Sequence, residues 1–108
     1  MVGYIKEIAD DIVKVQSPTA ALNLVRALSE EINRLDPREF VPAGQSRFVK
    51  LRMRAADIAR AKQLHLSNLS GVIAFGQEAR EVLDLYAGVA GYANLRSFAF
   101  VTDIAASI

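Results

Sequence analysis

Apolar residues recur at steps of three and four through most of the chain, and this period predicts helices. In the first segment Ile5, Ile8, Ile12 and Val15 line one side, opposite Lys6, Glu7, Asp10, Asp11 and Lys14, as in an amphipathic helix of about three turns. Ser17-Pro18 then supplies an N-cap followed by proline at the first helical position, where its missing N–H costs nothing. The second helix carries Ala21, Leu24, Val25, Leu28, Ile32 and Leu35 over roughly 100° of the wheel, the width of a core-facing stripe, with Leu22 off it.

Asp36-Pro37 repeats the cap-plus-proline signal, but Pro42 and Gly44 follow closely, so residues 36–45 are expected to be the one substantial loop. A third helix is expected from about Ser46 to Leu66. Ser67-Asn68 interrupts it with residues that prefer caps and turns. The fourth helix should start near Ser70 and present Val72, Phe75, Gly76, Ala79, Val82, Leu83, Tyr86 and Val89, with Arg80 and Asp84 as an i,i+4 pair. Gly88 and Gly91 weaken it, and a break is expected near Gly91-Asn94. Beyond Asn94, Leu95, Phe98, Val101, Ala105 and Ile108 fall at helical spacing. The stretch Phe98-Ala-Phe100-Val also fits a short strand, but no partner strand is visible for it. The expected fold is a single all-α domain over residues 1–108, either a four- or five-helix bundle or an extended helical hairpin assembly.

Composition narrows the function. With 108 residues, 52% hydrophobic positions and 23% charged ones, the chain can offset the entropy of ordering its backbone and is not of the disordered class. It has no cysteine, which excludes disulfides, thiol nucleophiles and thiolate metal sites. The start MVGYIKEIADDIVK is acidic where an export signal would be apolar, so the cytoplasm is the expected compartment. The longest strongly apolar uncharged stretch runs from Leu85 to Leu95, short of the ~20 residues a spanning helix needs. A membrane role is therefore not expected from a spanning segment.

The net charge of +1 hides a segregation, with −2 over residues 1–46, +5 over residues 47–62 and −2 over residues 63–108. Arg47, Lys50 and Arg54 fall within about 60° on the wheel and form a ridge roughly 10 Å long. Leu51 and Ile58 flank it on one edge, and Val49, Met53 and Leu64 occupy another sector. Such a ridge can be a solvated strip, can pair with acidic neighbours such as Glu30, Glu31, Glu78 and Glu81, or can lie along phosphates. No tryptophan is present and Phe48 lies away from the ridge, so no base-stacking platform is visible.

Candidate chemistry elsewhere is thin. His65 is the only histidine and is expected near the C-terminal end of the third helix, in a structural place favoured by the helix dipole. Ser67 and Ser70 lie near it in sequence, without a nucleophile elbow. The glycines match neither phosphate-loop pattern. No cofactor, metal or small-molecule substrate is expected. Alanines 55, 56, 59 and 61 and the run Ala87 to Ala93 should allow close helix approach.

Apolar residues fill more than one face of the third helix and much of the tail, more than a chain this small can bury alone. The leading expectation is thus a non-catalytic protein-interaction or self-assembly module, homo-oligomeric or bound to a partner protein. Its contacts are expected through the third helix and the tail residues Phe98, Phe100 and Ile104. The alternatives are a nucleic-acid-binding protein using Arg47, Lys50 and Arg54 on phosphates, or a membrane-associated or filament-forming subunit.

The stripe carries its own test. Leu28→Ala or Ile32→Ala should cost about 2–5 kcal/mol in chemical denaturation, from lost burial and a residual cavity. A loss under about 0.5 kcal/mol at both positions would place the stripe on the surface.

Overall fold

A computed structural model describes residues 2–91 as four helices and two 3₁₀ turns. The tail expectations, including Phe98, Phe100 and Ile104, lie outside the described residues. In order the elements are α1 (Val2–Val13), α2 (Pro18–Ile32), a 3₁₀ turn (Pro37–Glu39), α3 (Pro42–Ala59), a second 3₁₀ turn (Leu66–Asn68) and α4 (Leu69–Leu83). Among the described residues there is no strand, only an isolated bridge between Phe40 and Tyr86. The fold is all-α. Each helix packs on the next, and α4 returns to pack on α1, which closes the ring.

α1 buries Ile5, Ile8, Ala9 and Ile12, as its period predicts. The Ser17 side chain accepts a hydrogen bond from the Ala20 N–H at 3.4 Å, so α2 starts at its expected cap. Its stripe differs in one respect: Leu22 is buried while Leu24 is only partly so. Leu28, Ile32, Phe40, Phe48 and Leu83 lie at the centre of a single core, each shielded from solvent.

The largest departure concerns α3. It starts at Pro42, inside the segment expected to be loop, and ends at Ala59 rather than Leu66. Proline at the start of α3 initiates the helix instead of bending the chain. Gly44, taken as a bend signal, is a packing residue, since a Cβ there would lie 2.8 Å from Leu85 Cβ. The core face of α3 is Gly44, Phe48, Leu51 and Ala55, whereas Met53 is 63% exposed and forms no apolar flank against the core. At the other end, Arg26 of α2 donates from Nε to the Ala59 carbonyl at 3.1 Å and from Nη2 to the Ala61 carbonyl at 2.7 Å. A cation there meets the exposed carbonyls and the negative pole of the helix.

Three aromatic rings fasten the connection before α3 to the chain after α4. Phe40 stacks on Phe48 with centroids 4.2 Å apart, and Tyr86 meets Phe40 edge-on at 5.3 Å. Backbone bonds from Val41 N–H to Leu85 O (3.0 Å) and from Ala87 N–H to Glu39 O (2.8 Å) lie on either side of the bridge. Tyr86 therefore belongs to this strap and not to α4, which ends at Leu83; Val89 is 84% exposed. Gly88, with φ of 61°, takes the left-handed turn that releases the chain from the strap.

α4 packs closely on α1. A Cβ at Gly76 would lie 2.7 Å from Ile12 Cγ2, so a close approach of the two helices occurs at this glycine. The expected Arg80–Asp84 pair is replaced by two pairs across the helix interface. Arg80 Nε meets Asp10 Oδ1 at 2.7 Å, and Lys6 Nζ meets Asp84 Oδ1 at 3.1 Å.

Gly76→Ala should thus destabilise the protein by about 1–3 kcal/mol, although alanine favours an isolated helix by about 1 kcal/mol. Thermal or denaturant unfolding decides the sign, and a stabilised variant would refute the close contact.

Tyr86 gives a pH signature. A hydrogen bond to Glu39 is the main cause that pushes its phenol up to about 12 from 10.0, with burial second. The raised folded pKa makes this contribution complete below about pH 10 and lost as the pH rises through about 12. The stability difference between wild type and Tyr86→Phe should narrow over that window; a constant difference from pH 8 to 12 would contradict the linkage.

Candidate functional site

The expected basic ridge lies along one wall of a groove between α3 and α4. Arg47, Lys50, Leu51 and Arg54 line it from α3. Gly71, Ala74, Phe75 and Glu78 line it from α4. Both sets follow the same i, i+3, i+4, i+7 spacing, which places each on a single helix face. The groove encloses about 340 Å³. It exists because α4 contributes glycine and alanine where larger side chains would fill the space; a Cβ built on Gly71 meets nothing within 4 Å.

The three ridge cations are not equivalent. Arg47 spans both helices, with Nε and Nη2 donating to Glu78 Oε1 at 3.2 and 3.0 Å and Nη2 donating to Glu81 Oε2 at 3.0 Å. The Glu78 hydrogen bond, then that of Glu81, raises the guanidinium above its ordinary pKa. This is the pairing with Glu78 and Glu81 that the charge pattern had offered as one alternative. Lys50 and Arg54 are exposed and make no ion pair with any described residue. One wall of the groove therefore carries two uncommitted cations above the nearly buried Leu51 and Phe75.

Arg54 and Gly71 also border a second recess of about 490 Å³, where Gln63, Ser67, Asn68 and Ser70 present polar groups. The ring of α3 itself is occupied elsewhere: Phe48 is buried against Phe40, and the Arg52 guanidinium carbon lies 5.5 Å from the Phe48 centroid.

His65 lies outside α3, in the segment after it. Its N–H donates to Asn68 Oδ1 at 2.9 Å, and the Asn68 N–H donates back to the His65 carbonyl at 2.9 Å, so these two residues close the 3₁₀ turn that opens α4. Among the described residues no three His, Asp or Glu side chains are grouped so as to hold a metal ion. No helix among them is long and apolar enough to cross a membrane.

The ridge is only one wall of the groove, and α4 supplies the other. Its signal was the repetition of the α3 spacing at Gly71, Ala74, Phe75 and Glu78, with small residues at the first two positions. No protein family, curated protein or solved structure matches the chain.

Proposed function

We propose that the chain is a non-catalytic protein-interaction module whose α3–α4 groove receives an amphipathic helix bearing acidic side chains. The supporting observation is the combination within one groove of an apolar floor at Leu51, Ala74 and Phe75 with the uncommitted Lys50 and Arg54. A docked helix buries apolar residues at i, i+3 and i+4 steps on such a floor and meets cations at the rim. Complementary charge then sets orientation and partner choice more than affinity.

A phosphate backbone is served less well by the same surface. Glu78 lines the groove and Arg47 is already held by Glu78 and Glu81, so a polyanion would meet carboxylates beside only two available cations. The groove walls carry no hydroxyl or imidazole, which favours docking over group transfer.

Gly71→Leu tests this directly, because Gly71 lines the groove and a Cβ added there meets nothing within 4 Å. A fluorescent amphipathic peptide with glutamates at i and i+4 should bind wild type and lose about tenfold or more in affinity to Gly71→Leu, with helicity retained. A lysine version of the peptide should bind poorly. Equal binding of both peptides by both proteins, or preferential salt-sensitive binding of duplex DNA, would overturn the reading.

A further inference from the structure

We infer that the acidic helix received by the groove is α1 of a second copy of this chain, with Tyr4 entering the groove and Glu7 and Asp11 meeting Lys50 and Arg54. This rests on the reading of the groove as a docking site and names its occupant.

The outer face of α1 offers one exposed ring, at Tyr4, beside the carboxylates of Glu7 and Asp11, its Ile5, Ile8 and Ile12 stripe being committed to the core. Tyr4, Glu7 and Asp11 lie within about 60° on the helical wheel, beside the sector that holds Ile5, Ile8 and Ile12 in the core. Tyr4 is 59% exposed although it is one of the larger apolar side chains described. Glu7 and Asp11 are exposed and make no ion pair with any described residue, whereas Asp10 on the same helix is taken by Arg80. The strip thus presents a solvent-facing ring next to two uncommitted carboxylates. The groove presents an apolar floor next to two uncommitted cations.

The spacings agree as well. Glu7 and Asp11 are four residues apart, as are Lys50 and Arg54, so each pair spans about 6 Å along its helix axis. Two helices laid side by side can therefore form both ion pairs together. Within one molecule α1 is packed on α2 and α4, with its core face committed there. Its outer strip faces away from that packing among the described residues and is accessible to a second copy. The contact is heterologous, since it joins two different patches, and repetition closes a ring or extends a filament.

Charge reversal tests the pairing in the full chain. Glu7→Lys/Asp11→Lys and Lys50→Glu/Arg54→Glu alter exposed side chains only, and circular dichroism checks that each variant remains helical. Wild type at high micromolar concentration should give a mass above the 11.8 kDa monomer by light scattering after size exclusion. Each variant alone should fall to monomer mass, Tyr4→Ala should weaken association, and an equimolar mixture of the two charge-reversed variants should regain the larger mass. Monomeric wild type, or a mixture that stays monomeric, overturns the inference. If the α1 variant associates like wild type while Gly71→Leu still abolishes binding of the acidic peptide, another helix occupies the groove and the docking reading survives alone. If Gly71→Leu changes neither association nor peptide binding, both fall.

Discussion

The stack of Phe40 on Phe48 fixes where α3 begins, because Phe40 can be buried only if the chain turns inward directly before Pro42. A phenyl ring withdrawn from water contributes about 1.5–3 kcal/mol, and its aromatic neighbours add to that through offset and edge-on contact. Tyr86 closes the cluster from the far side, so the residues after α4 are held against the residues before α3. With the start of α3 fastened to the end of α4 in this way, Arg47 faces Glu78 and the ridge comes to lie over Leu51 and Phe75. The groove is thus a secondary product of a packing decision made at its upper end.

How far the sequence reveals this varies along the chain. α1 and the start of α2 are legible because their stripes are uninterrupted and Ser17-Pro18 marks a boundary unambiguously. α3 is not, because Pro42 and Gly44 act locally as helix breakers and globally as helix residues. Proline suits the first turn of a helix, and the glycine is required by Leu85, a residue 41 positions later in the chain. The C-terminal boundary is equally non-local. Arg26 accepts the role of cap from another helix, and no signal near Ala59 announces it. Leu22 shows a further limit, since it lies outside the main stripe and is buried all the same.

The basic ridge was visible as a wheel pattern, but its character was not. Periodicity groups Arg47, Lys50 and Arg54 as equals, whereas tertiary structure commits one of them to two carboxylates and leaves the others exposed. Likewise, Glu7, Asp10 and Asp11 look alike on a wheel until Arg80 takes Asp10. Function is read from this sorting of charges. Groups satisfied within the molecule describe its fold, and those left over describe what it can still bind.

The two ion pairs between α1 and α4 carry a different consequence. Exposed pairs of this kind contribute little to stability, yet their order along the helices matters. Lys6 faces Asp84 and Asp10 faces Arg80, so the signs alternate along an antiparallel interface. Sliding α4 by one turn in one direction brings Arg80 beside Lys6; sliding it in the other brings Asp84 beside Asp10. Either displacement sets like charges together and also moves Gly76 off Ile12, with which it is in close contact. The pairs therefore act as a vernier, disfavouring the same displaced alignments that the Gly76–Ile12 contact opposes.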